Sequence, residues 1–195
     1  MKLSSKITDK GVYLITEEGC LNSTTGAFRH IMVGFENLSR SFDLVFFFKT
    51  SSIDFGDISK QIVNQKASET KKNIKARNRS SKFKGSLKDF KLFLVNFIYL
   101  IPLLIKLKQE KPAFIYERAA YLTFYGLIVA KILKIPHFYE ANGLQFQRME
   151  KYYSSFFSPI IRWIEKKTYQ NSTHVFFVGT YGKYWSLPKN NWSNI

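Results

Sequence analysis

The sequence contains a single cysteine, Cys20, in 195 residues. That excludes an intrachain disulfide and a thiolate metal cluster. Histidine is also scarce: His30, His137 and His174 stand apart from one another and from Cys20, so neither a zinc site nor a Cys-His nucleophile has support in the spacing. No metal and no cofactor is expected. There is no G-x-x-x-x-G-K-S/T phosphate loop and no G-x-G-x-x-G turn, which disfavours NTP hydrolysis and dinucleotide redox chemistry. Residues 1–10, MKLSSKITDK, lack the apolar core of a secretion signal, so the expected location is the cytoplasm.

Acidic residues are few, 14 Asp/Glu against 30 Lys/Arg, for a net charge of +16. The excess is uneven. Residues 60–91 hold eleven Lys/Arg against Glu69 and Asp89, a net of +9 in a sixth of the chain. A field of that sign attracts phosphate, whether on nucleic acid, lipid or sugar nucleotide. With 45% hydrophobic residues, the chain still has enough apolar side chains for a sizeable core.

Strand-like runs alternate with helical patterns. GVYLIT (11–16) and FDLVFFF (42–48) read as strands around a helix over about 30–40, where Ile31, Gly34, Phe35 and Leu38 recur at helical spacing. Residues 57–91 read as a polar, basic helical insert with mobile ends. Beyond it, 113–118 and 137–143 read as strands, each led by a proline that a strand start tolerates, with a helix over 120–134 between them. A helix over 156–170, a strand over 173–179 and the start of another helix complete the pattern. Such alternation implies an α/β fold, a largely parallel Rossmann-like sheet with helices on both faces.

The longest apolar run, 92–105, would span about 21 Å as a helix, short of the roughly 30 Å hydrocarbon core, and Asn96 and Pro102 interrupt it. Its two readings are a buried crossover helix, or a helix dipping into a membrane surface beside the basic stretch.

Ligands of parallel α/β sheets bind at the carboxyl ends of strands, so the polar residues there are the candidates. The loop TEEGCLNSTTGAFRH (16–30) leads into a helix near Gly26, where a glycine lets backbone N–H groups approach an anion such as a diphosphate; His30, one turn on, would face the same crevice. The bland alternative is a loop ending at Gly26 and a packing histidine. Glu117 and Arg118 end the next strand and would bring an acid and a base to the same rim, or form a solvated ion pair. Glu140, Asn142 and Gly143 follow the strand after that; Asn-Gly is a common turn, but Glu140 there can serve as a general base, and it or Asn142 can hold a sugar hydroxyl.

In order and context these residues resemble the N-terminal half of a family 4 glycosyltransferase of the GT-B fold. The resemblance rests on Gly26-x-x-x-His30 entering the first helix, on KPAFIYERAAYLTFYGLIVAKILKIPHFYEANG, and on EKKTYQNSTHVFFVGTYGKYWSL. It covers most of the chain except 57–91. Members often begin the first loop with two glycines where this chain has Thr25 and Gly26, and many have His at the position of Glu140. The resemblance implies a single acceptor-binding domain, 1–195, of an enzyme that transfers sugar with retention of configuration and without an obligatory metal. It implies Glu140 as the catalytic position, and Gly26, His30, Glu117, Arg118, Asn142 and Gly143 as substrate-binding positions. The C-terminal domain, with its Glu-x7-Glu pair for the nucleotide sugar, is not in the sequence, which stops at Ile195, so the domain alone is expected to be inactive.

The implied partners are a nucleotide sugar and a glycan or lipid-linked acceptor in surface polysaccharide assembly, with an anionic membrane surface at the inner face contacted through 82–108. A different class of function is a non-enzymatic basic module that binds nucleic acid, resting on the +9 stretch, or anionic membrane, anchored through 82–108. Nucleic acid is disfavoured because only Phe83 and Phe90 interleave with those charges.

Overall fold

The computed structural model describes residues 9–17, 26–54, 81–150, 154–178 and 192–194. The strands are β1 (Lys10–Ile15), β2 (Asp43–Phe48), β3 (Ser51–Ser52), β4 (Phe114–Arg118), β5 (His137–Ala141), β6 (His174–Phe177) and β7 (Trp192–Asn194). The helices are α1 (Gly26–Ser39), α2 (Lys82–Glu110), α3 (Tyr125–Leu133), α4 (Gln145–Glu150) and α5 (Ser158–Asn171). The strands form one sheet in the order β3-β2-β1-β4-β5-β6-β7, parallel throughout except for the β2–β3 hairpin. The chain is therefore the α/β, Rossmann-like domain that the alternation implied. Its strand order reverses between β1 and β4, so a crevice opens at their carboxyl ends.

Each face of the sheet is built by the alternation of strand side chains. On one face Tyr13, Ile15 and Phe46 pack against Phe28, Ile31 and Phe35 of α1. On the other, Val12, Leu14, Phe47 and Ile115 meet Leu103 and Leu107 of α2 and Val129 and Ala130 of α3. Tyr139, Val175 and Phe177 continue this second face under Ile161 and Tyr169 of α5.

Two expected elements differ from the structure. The apolar run is part of a 29-residue helix, about 43 Å long, which starts at Lys82 and absorbs the end of the basic stretch. By length and composition it is the one helix among the described residues able to cross a membrane, with a window of mean hydropathy 1.9 of which 17% is buried. The expectation that this segment is too short for a bilayer does not hold. The helix expected over 120–134 begins only at Tyr125, because Asn96 of α2 holds the preceding turn: its Nδ2 donates to the Leu122 carbonyl at 2.9 Å and its Oδ1 accepts from Phe124 N–H at 2.9 Å. Residues 57–80 of the expected insert and the helix expected after 179 lie outside the described residues.

Candidate functional site

The crevice between the ends of β1 and β4 is a cavity of about 360 Å³, lined by Glu17, Gly26, His30, Arg118, Asn142 and Gln145. Glu140 is not itself in the lining but bonds two residues that are, His30 and Arg118. Arg118 and Glu140 are register partners on adjacent parallel strands, so their side chains emerge on the same face, that of α1. The Arg118 guanidinium donates through Nη1 to Glu140 Oε1. His30 Nε2 lies 3.1 Å from the same oxygen, and the Tyr116 hydroxyl donates to Oε2 at 2.9 Å. With its carbonyl turned toward the guanidinium, Asn142 accepts from Arg118 Nε at 3.3 Å and Nη1 at 3.2 Å.

The electrostatics of Glu140 follow from these donors. Burial by itself would raise its pKa, but the hydrogen bond from His30, the charge of Arg118 and the bond from Tyr116 outweigh it and hold the carboxyl below its ordinary value. Burial, followed by the Glu140 charge, pushes the Tyr116 phenol well above the usual range, so that hydroxyl remains a donor.

Glu140 is thus an ionised carboxylate, 1% exposed, with three donors around it. Two donors meet Oε1 and one meets Oε2, so Glu140 holds these side chains in place and keeps one further acceptor position on Oε2. His30, 42% exposed, is the member that faces the cavity. Its Nε2 faces Glu140, and in the neutral ring with the proton on Nε2 the acceptor is Nδ1.

The other expected site residues are placed as follows. Gly26 is the first residue of α1 and opens onto the cavity; a Cβ there would meet nothing within 4 Å. Gly143 turns the chain after β5 with φ 102°, a conformation that disfavours any side chain. Glu117 does not join its neighbour at the rim. Consecutive strand residues point to opposite faces, and Glu117 is fully buried beneath α3, with Oε2 2.8 Å from His137 Nε2. His137 Nδ1 lies 3.0 Å from Ser172 Oγ, whose proton goes to the Thr168 carbonyl. A solvated Glu117–Arg118 pair is excluded as well, because both side chains are buried and bonded elsewhere.

Tyr116, which bonds Glu140, and Gln145, which lines the cleft, were not singled out in the sequence. Tyr116 was accessible to reasoning, because it lies two positions before Arg118 on the same strand and so shares its face. Gln145 was not: it is buried, its Oε1 has no partner, and it lines the cavity only because α4 is anchored by the α5 residue Glu165. Glu165 accepts from Gln145 N–H at 3.1 Å and Phe146 N–H at 2.9 Å, and burial pushes its carboxyl up to about 7 despite those bonds. No cluster of three or more His, Cys, Asp or Glu suited to a metal ion occurs among the described residues.

Around Glu17 the cleft meets a second cavity of about 420 Å³ between α2 and the ends of β1 and β4. Leu92, Tyr99, Leu122 and Met149 give it apolar walls, and Lys49 and Lys88 line it. The buried Tyr125 hydroxyl, also part of this lining, has no hydrogen-bond partner.

Solved structures of GT-B proteins share this Rossmann-like fold. UDP-GlcNAc 2-epimerase from Methanocaldococcus jannaschii, in complex with UDP-GlcNAc and UDP, matches with TM-score 0.53 and 14% identity over 95% of this chain and 46% of its own. The kitacinnamycin glycosyltransferase matches with TM-score 0.53 and 8% identity over 96% of this chain and 51% of its own. A Glycyrrhiza uralensis UGT complexed with glycyrrhetinic acid 3-O-monoglucuronide matches with TM-score 0.52 and 10% identity over 92% and 47%. The chain spans about half the length of these proteins. No family model matches the chain, and no curated protein does.

Proposed function

We propose that the domain is the acceptor-side half of a glycosyltransferase that moves a sugar from a nucleotide sugar to a glycan or lipid-linked acceptor in surface polysaccharide assembly. The observation that carries this reading is the His30–Glu140–Arg118 network at the mouth of the switch-point cleft. An acceptor hydroxyl needs a nearby group to take its proton as the sugar bond forms. His30 supplies it through Nδ1, while Glu140 fixes the ring and balances the charge that develops on it, the role a buried carboxylate plays behind a catalytic histidine. Arg118, Asn142 and Gln145 line the wall on which the acceptor is positioned, and Gly26 leaves room for backbone approach. The adjoining cavity suits the less polar part of an acceptor. Solved structures of the same fold include one holding UDP-GlcNAc and UDP, which supports a nucleotide sugar as donor.

The resemblance to family 4 implies retention of configuration. A histidine base beside the acceptor favours the second reading, a single displacement with inversion, and the anomeric configuration of the product separates the two. The sequence has no Glu-x7-Glu pair to grip the donor. Incubated with UDP-, GDP- or dTDP-sugars and saccharide acceptors, the chain alone is therefore expected to give no product. Transfer above the protein-free background would contradict this division of labour, and the product's anomer would then assign the mechanism directly.

A further inference from the structure

The outward side of α2 has no described partner, and its composition is unusual for a surface. Phe83, Leu87, Phe90, Leu94, Phe97, Ile98, Ile101 and Ile105 are all exposed, Phe83 by 73% and Ile98 by 63%. At 100° per residue they fall within one arc of about 100°, from the first turn almost to the last. The arc is uninterrupted: every polar residue between 83 and 105 lies outside it. Phe156, Ile160 and Trp163 of α5 and the segment leading into it are also exposed and widen this strip. Two grooves run into the same face. One, of about 210 Å³, is bounded by Phe90, Phe93 and Ile160, with the buried Asp89 in its lining; the other, of about 320 Å³, is bounded by Phe97, Phe124 and Trp163. A continuous apolar surface of this kind marks an interaction site.

Charge selects the occupant. Together α2 and α5 carry nine Lys/Arg and three acids. None of the acids faces outward with the strip: Asp89 is buried beside Tyr121, Glu110 pairs with Lys10, and Glu165 accepts the amides of α4. The lysines border the strip, with Lys84, Lys91 and Lys106 along one flank of α2, Lys108 at its end, and Lys82 over the Phe156 ring on the opposite side. The sequence leading into α2, residues 55–80, adds seven Lys/Arg against Asp57 and Glu69. A second copy of so basic a face would be repelled. An anionic bilayer satisfies both features, because apolar side chains enter the acyl boundary while lysines meet the headgroups.

We infer that the α2–α5 face lies flat on an anionic membrane, with Phe90, Phe97, Ile98, Ile101 and Trp163 inserted below the headgroups. The helix lies on the bilayer and does not cross it. Leu103 and Leu107 are fully buried against the sheet, and Asn96 and Ser86 bind the backbone of Leu122, Phe124 and Phe156, all of which crossing would break. This inference goes beyond the sugar-transfer reading and does not depend on it.

The test is co-flotation of the purified chain with vesicles of phosphatidylcholine alone or with 30% phosphatidylglycerol as the probe (about a third anionic lipid, as in the leaflets where basic segments dock). The expected result is binding to the anionic vesicles at least tenfold above the neutral ones, lost in Phe97→Glu/Ile101→Glu and weakened in Lys84→Glu/Lys91→Glu. Both variants change exposed residues, and circular dichroism checks that they fold. Absence from both floated fractions overturns the inference, as does binding to anionic vesicles that the Phe97/Ile101 variant retains. A concentration-dependent dimer in light scattering that Phe97→Glu/Ile101→Glu dissolves overturns it in favour of a second copy. Failure of sugar transfer leaves every one of these outcomes unchanged.

Discussion

Glu140 illustrates how a residue's position can be read in the sequence while its partners cannot. Its place at the end of a strand beside Asn142 and Gly143 follows from sequence order, but three donors on one carboxylate follow from β4 and β5 being adjacent and in register. The donors decide the chemistry. Replacing Glu140 by Ala leaves the buried Arg118 guanidinium without its carboxylate, which lowers unfolding free energy by about 3–5 kcal/mol near neutral pH. Urea denaturation measures it. The sign of the pH dependence is fixed by the direction of the shift: a carboxyl held below its ordinary value stabilises the fold above the unfolded pKa of 4.5, and that contribution disappears as pH falls through the depressed folded value. Wild type and Glu140→Ala should therefore converge in stability below pH 4.5, and a gap that stays constant into acid would contradict the assigned ionisation. Glu117 could have been sorted from Arg118 by strand period alone. Its partner His137 could not, since the pairing requires knowing that β4 and β5 are neighbours.

At the scale of elements, hydrophobic pattern gave the order β-α-β with boundaries within a few residues for β1, β2, β4, β5, β6 and α5. It fails where tertiary contacts override it. The pattern over 120–134 is helical throughout, yet Asn96 binds the backbone of Leu122 and Phe124 and fixes a turn there, with Leu122 at φ 54°. In the sequence the same asparagine looks like an interruption of an apolar run. It is in fact the tie between α2 and the start of α3. Asn96→Leu leaves one buried carbonyl and one N–H without partners, each costing about 1–3 kcal/mol. Thermal unfolding should show the loss, and amide exchange at Phe124 should rise; an unchanged exchange rate at Phe124 would remove Asn96 from this role. The two-residue β3, the three-residue β7 and the six-residue α4 are too short for periodicity to register.

For the molecule as a whole, the crossover from β2 to β4 decides where everything lies. It creates the switch point at which α1 delivers His30 toward Arg118 and Glu140, and it places the long α2 on the opposite face, where one side seals the core and the other is exposed. Sequence reading reached the α/β class, the switch-point residues Gly26, His30, Arg118 and Asn142, and the basic stretch near α2. It could not see that the apolar run has two distinct faces, because burial on one side is set by the sheet. The account stands most directly on the cleft as an acceptor site. An amide chemical-shift titration of the chain with a short-chain prenyl-diphosphate-linked saccharide tests it, run in parallel on His30→Ala/Asn142→Ala and on Glu117→Gln. The account predicts saturable shifts at Ala27, His30, Asn142 and Gln145 that vanish in the first variant and persist in the second. Shifts confined to other surfaces, or undiminished without His30 and Asn142, would contradict it.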